Sequence, residues 1–191
     1  MNPKLALLSN GRKLSYAEYG APDGRPVLLL HGLVGSVISE GMEEQLAGIP
    51  LRVLALARPG YGASDYFEMD CVADWPRQLE AFLDDLGLHS FDVYAISAGA
   101  PYGYALAAVY PDRVRAVYVN SGVPAVCLPE VLACYSPQDA ALYARWRGMP
   151  RQEIGREVYE SYLPQFSEEV RQSRDFVDSM GGSLENIGQE A

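Results

Sequence analysis

Four apolar runs constrain what this chain can fold into: "VLLLHG" (27–32), "LRVLALA" (51–57), "FDVYAIS" (91–97) and "VRAVYVNSG" (114–122). Each is apolar along most of its length rather than strictly alternating, which suits a strand buried on both faces. The stretches between them read differently. Leu79, Phe82, Leu83 and Leu86 follow helical spacing, with Asp74 as the expected cap and Gly87 as the stop. From Gly99 to Tyr110 a second helix carries Tyr102, Ala105, Leu106 and Val109 on one stripe, with Pro111 just past its end. Strands alternating with helices predict an α/β domain with a mostly parallel sheet and right-handed crossovers. Upstream, residues 4–8 and 12–19 alternate around Asn10-Gly11, which predicts an antiparallel hairpin.

After Pro124 the pattern changes. From about Pro129 to Met180 the chain is charged and aromatic with helical periodicity, and residues 181–191 read as a flexible tail. The expected organisation is a core over 1–125, a helical segment over 126–180 and a tail over 181–191. In the helical segment Tyr143, Trp146, Tyr159, Tyr162 and Phe166 are expected in its core rather than lining a pocket. "RWRGMPRQEIGRE" reads as a solvated surface of mixed charge.

A net charge of −10 argues against nucleic acid and anionic membrane surfaces as partners. No apolar stretch approaches the roughly 20 residues that span a bilayer, and the N-terminus has no signal-peptide core. The cysteines, Cys71, Cys127 and Cys134, are odd in number and lack zinc-site spacing. They are expected to be free thiols in a reducing cytoplasm, packed as small buried or half-buried apolar side chains.

The chemistry-bearing stretch is "VYAISAGAPYG" (93–103), where an apolar run meets Ser97 and a helix follows at once. A serine on a sharp strand-to-helix turn projects its hydroxyl outward and needs small residues two before and two after. Ala95 and Gly99 stand there. The start of the new helix leaves free N–H groups beside the serine, and the backbone N–H of Ala98 is placed to receive an oxyanion. A second donor is expected from the loop after His31 and Gly32, at the N–H of Leu33. At the carboxyl ends of parallel strands such groups converge on one crevice.

These motifs resemble the α/β-hydrolase superfamily over about residues 11–125. "GRKLSYAEYGAPDGRPVLLLHGL" is similar to the family's opening hairpin, third strand and oxyanion loop. "LALARPGYGASD" resembles the fourth strand and its turn, "AISAGAPYGYALAAVYPDRV" the nucleophile elbow and following helix, and "VRAVYVNSG" the sixth strand. The helical segment resembles the cap that many members insert after strand six. The resemblance implies strands one to six, with strands seven and eight apparently missing. It implies a serine hydrolase acting on a small carboxylic ester through Ser97, with no cofactor or metal. Two substitutions, Ala57 for aspartate and Ala95 for glycine, touch no reacting atom.

A larger departure concerns the base. In the family the acid and histidine of the triad follow the cap, and this sequence stops first. Of its two histidines, His31 belongs under the oxyanion loop. His89 lies about 20 Å from Ser97, at the opposite edge of the sheet. Asn120 and Ser121 hold the alternative acid position, and neither can be an anion. Three readings therefore stand: a serine hydrolase core whose acid and base come from elsewhere, a non-catalytic module binding a small apolar ligand, and an assembly element. For the last, the strand at residues 115–121 is expected at a sheet edge, where it could pair two copies into a homodimer.

Overall fold

The computed structural model describes residues 3–33, 35–39 and 41–172. The expected tail at 181–191, and the end of the helical segment from 173, lie outside the described residues.

The hairpin forms as the Asn-Gly signal predicts: β1 (Lys4–Leu7) pairs antiparallel with β2 (Lys13–Gly20). The next strands are β3 (Arg25–Leu30), β4 (Leu51–Leu56), β5 (Phe91–Ile96) and β6 (Val114–Asn120). They make one six-stranded sheet in the order β1-β2-β4-β3-β5-β6. β3 pairs in parallel with β4 and β5, and β5 in parallel with β6. The α/β sheet read from the sequence is therefore present. Continuous runs were required because both faces are covered. Leu28, Leu30, Leu54, Leu56, Val93 and Ala95 face one core, and Val27, Val53, Ala55 and Ala57 face another.

Short α1 (Met42–Gln45) lies on the second face, and α2 (Glu80–Asp85) and α3 (Ala100–Val109) pack on the first. Asp74 does not cap α2. Two 3-10 turns, Val72–Asp74 and Pro76–Gln78, precede that helix. The Asp74 carboxylate accepts from the N–H groups of Asp70 and Cys71 instead, at 2.9 and 3.0 Å. Pro76 opens the second of these turns, where its missing N–H is no loss, and the preceding Trp75 keeps a helical φ of −70° and ψ of −52°.

At its far side β6 is an edge among the described strands. Opposite β5 its register slips between Phe91 and Val93, so β6 carries one extra residue and bulges. Beyond the bulge Tyr118 and Val119 are exposed, at 50% and 39%. The chain leaves the sheet at Ser121, whose φ of 50° is left-handed.

The helical segment consists of α4 (Pro129–Leu132), α5 (Pro137–Trp146), α6 (Arg151–Tyr162) and α7 (Glu168–Gln172). Its small core is Ile154 and Val158, with Leu33, Trp146 and Met149 packed against it. The aromatic residues differ from expectation, for Tyr143, Trp146, Tyr159 and Phe166 are only half-buried. A segment with two buried aliphatic side chains cannot enclose four large rings. The expected solvated surface also differs in part, since Ile154 is buried and Glu157 is held by Arg145 and the Trp146 indole. All three cysteines are free but exposed, not packed inside. Cys71 sits in the loop before the 3-10 turns, and Cys127 and Cys134 sit in the thinly packed helical segment.

Candidate active site

Ser97 ends β5 with a φ of 50°, one of two non-glycine residues with positive φ among those described. That conformation costs an L-residue about 1–2 kcal/mol and persists only where its surroundings enforce it. The enforcement is visible on both sides. Residues 97–99 form a 3-10 turn that runs directly into α3. A Cβ on Gly99 would lie 2.6 Å from the Leu30 carbonyl oxygen and 2.9 Å from that of His31, so turn and strand touch backbone to backbone. Ala95 is fully buried beneath α3, and its methyl fits because the residue above it is Gly103. A Cβ there would stand 3.1 Å from the Ala95 Cβ and 3.2 Å from Val117 Cγ1. Ala95 is thus accommodated by a glycine on the helix, a compensation that sequence reasoning missed.

The Ser97 side chain is half-buried, and its hydroxyl has no hydrogen-bond partner among the described residues. It opens into a cleft of about 420 Å³. Gly32 borders it closely: a Cβ on Gly32 would lie 3.4 Å from the Ser97 Cβ. Leu33 and Ile38 from the loop, Met42 from α1 and Phe166 from the helical segment also line this cleft. Phe166 was expected in a core and instead reaches the cleft. Ala98 is buried at the second position of the turn, where a helical start leaves the N–H without an internal acceptor. The Leu33 carbonyl accepts from the Tyr61 hydroxyl at 3.0 Å.

His31 is buried beneath the loop. Its Nδ1 lies 2.8 Å from the Gly32 carbonyl oxygen, and its Nε2 accepts from the Arg58 N–H at 3.4 Å. One neighbour can only accept and the other can only donate, which fixes the neutral tautomer with the proton on Nδ1. Burial, and then the Arg58 charge, hold its pKa well below the ordinary histidine value. With both ring nitrogens engaged, His31 is a strut rather than a proton acceptor for Ser97. His89 is exposed, two residues before β5 begins and so at the far end of that strand from Ser97.

Arg58 holds this arrangement together, and its role was not read from the sequence. It is fully buried, and its guanidinium donates to the carbonyl oxygens of His31 and of Gly32, the latter at 3.1 Å. Its plane also lies over the rings of Tyr61 and Tyr102, at 4.9 and 5.2 Å. The available signal was an arginine ending a run of five apolar residues, Val53 to Ala57, since a buried cation must find acceptors.

The comparisons fit this architecture. A family model described as the alpha/beta hydrolase fold matches residues 25–188. The chain belongs to the α/β-hydrolase fold family. An uncharacterized hydrolase of Bacillus subtilis, YcgS, is 32% identical over 114 residues, covering 60% of this chain and 39% of that protein. A haloalkane dehalogenase of Mycolicibacterium paratuberculosis is 28% identical over 170 residues, covering 85% of this chain and 54% of that one. The chain thus spans about half or less of the length of these curated relatives. Among solved structures, a haloalkane dehalogenase of Bradyrhizobium elkani superposes with a TM-score of 0.75 at 21% identity, over 99% of this chain and 67% of that one. An esterase of Exiguobacterium antarcticum gives 0.74 at 17% identity, over 100% and 72%. At these identities the structural likeness speaks for the α/β-hydrolase fold alone. Among the described residues no helix is long and apolar enough to cross a membrane.

Proposed function

We propose that this chain is the nucleophile-bearing core of a serine hydrolase acting on small carboxylic esters. Relatives named for esterase and for dehalogenase chemistry share the fold, so the chemistry is argued from the residue on the bend. The observation that carries the reading is the left-handed φ of Ser97 beside an open cleft. Strain at a half-exposed hydroxyl with no internal partner is what a nucleophile elbow requires.

In the proposed reaction the Ser97 oxygen attacks the ester carbonyl carbon while its proton passes to a base. The carbonyl oxygen becomes an oxyanion received by the N–H groups of Ala98 and Leu33. Collapse expels the alcohol, which takes a proton, and water then releases the acid and restores the hydroxyl. His31 and Gly32 support the oxyanion loop, and Ala95 and Gly99 the elbow. The site asks for no cofactor or metal. The base must come from outside the residues described, since both histidines of the sequence are placed elsewhere. The uncharged, mainly apolar lining favours a neutral acyl group.

Intact-mass spectrometry after incubation with p-nitrophenyl acetate and added imidazole as external base tests this. Acetylation mapped to Ser97, accelerated by imidazole and absent in Ser97→Ala, is expected. Equal labelling of both proteins would end the proposal in favour of a non-catalytic ligand-binding module.

A further inference from the structure

The turn that follows β4 sets two side chains against one loop. Arg58, Pro59, Gly60 and Tyr61 form a single β-turn, closed by the Tyr61 N–H donating to the Arg58 carbonyl at 3.0 Å. Proline in its second position and a φ of 79° at Gly60 in its third make it type II. Its first and fourth residues both reach the loop after β3. Arg58 donates to the carbonyls of His31 and Gly32, and the Tyr61 hydroxyl donates to that of Leu33. Successive carbonyls of the loop are therefore held by one preset turn.

The direction of those carbonyls fixes the direction of the amides. In a trans peptide the C=O and the N–H point opposite ways. The Gly32 carbonyl faces buried Arg58 at 3.1 Å and the His31 Nδ1 at 2.8 Å. The Leu33 N–H, in the same peptide, must then point away from them. It has no hydrogen-bond partner among the described residues. The peptide also lies beside Ser97, since a Cβ added to Gly32 would stand 3.9 Å from the Ser97 Oγ. Left to itself the loop would not keep this orientation. Glycine at position 32 leaves the rotation before that peptide nearly free, so the unit could turn over and show Ser97 a carbonyl instead of a donor.

We propose that Arg58 and Tyr61 are positioning residues for acyl transfer at Ser97. By holding the carbonyls on both sides of the Leu33 Cα, they keep its N–H aimed at the oxyanion that forms there. Neither residue lines the cleft, so both act through the loop and touch no substrate atom. The inference rests on the reading of Ser97 as a nucleophile.

Tyr61→Phe removes the hydroxyl but keeps the ring that meets His31 and Arg58, so the fold should survive. Two measurements on the whole chain test the proposal. Amide relaxation dispersion reads microsecond-to-millisecond exchange. Exchange at Gly32 and Leu33 is expected in Tyr61→Phe and not in the parent. Acylation of Ser97, with imidazole as external base, is then followed by intact mass for p-nitrophenyl acetate and for its thiono analogue. The thiono sulfur accepts hydrogen bonds poorly and gains little from an oxyanion donor. Tyr61→Phe should slow the oxygen ester by about 10-fold, short of the roughly 100- to 1,000-fold that outright loss of one donor costs. The thiono ester should react at nearly the parent rate. Equal slowing of both esters would make Tyr61 merely structural and overturn the proposal, as would an exchange-free loop with an unaltered rate. No acylation of either protein would instead end the nucleophile reading, and the dispersion alone would then decide whether the turn pins the loop.

Discussion

A side chain on Gly99 would place its first carbon 2.6 Å from the carbonyl oxygen of Leu30. The obstacle is backbone, which cannot rotate away, so α3 would have to lift from β3. Gly99→Ala is therefore expected to lower stability by about 1–3 kcal/mol, the usual cost of overpacking. It should also distort the bend that carries Ser97. Urea unfolding monitored by circular dichroism measures the first effect, and acetylation of Ser97 the second. A variant as stable and as readily acetylated as the parent would contradict this account of the elbow.

Replacing Arg58 by methionine keeps much of its volume but removes the donors to His31 and Gly32. Buried acceptors left without partners cost about 1–3 kcal/mol each, so a loss of roughly 2–5 kcal/mol is expected. Arg58→Lys should rescue little, because an ammonium does not reproduce the planar fork that spans two carbonyls. Unfolding midpoints in urea separate the three proteins.

His31 makes stability depend on pH in a defined direction. Its pKa in the folded protein lies well below the ordinary value, so on acidification the unfolded chain takes up a proton that the folded one refuses. The stabilisation is fully present above the unfolded value of about 6.5 and is lost as the pH falls below it, by up to about 1.4 kcal/mol per pH unit. Thermal midpoints should fall between pH 7 and pH 5.5. His31→Gln should flatten that slope, and an equally steep slope in the variant would assign it to other groups.

The β6 edge bears on association between copies. Pairing across residues 115–121 is the sequence-level expectation, but the bulge interrupts β6 and leaves only Tyr118 and Val119 as its exposed apolar residues. Bulges are a recognised protection of sheet edges. Light scattering should therefore find a concentration-dependent dimer only weakly populated at micromolar protein, and none in Val119→Lys. A tight dimer unaffected by that substitution would place the interface elsewhere.

The sheet and the sharp bend at Ser97 were legible because each depends on local pattern: apolar runs, the Asn-Gly turn, and small residues around Ser97. Phe166, Arg58 and Gly103 were not, because their roles arise from contacts between segments far apart in sequence. Arg58 reads as part of a turn until His31, 27 residues earlier, is folded against it. Asp74 reads as a cap from its residue type, whereas its carboxylate serves the 3-10 turn Val72–Asp74 rather than α2. The cysteines were misplaced because burial was inferred from residue type, while the segments holding them have little interior.

Ser97 and Ser121 share the same left-handed φ at the ends of neighbouring strands, and the N–H of Val123 donates to the Ser97 carbonyl at 3.1 Å. The stem of the helical segment is thereby moored to the pivot of the bend. Any displacement of the helical segment that tugs this stem would pull on the backbone that carries Ser97, so the shape of the cleft and the geometry of the bend share one mechanical linkage.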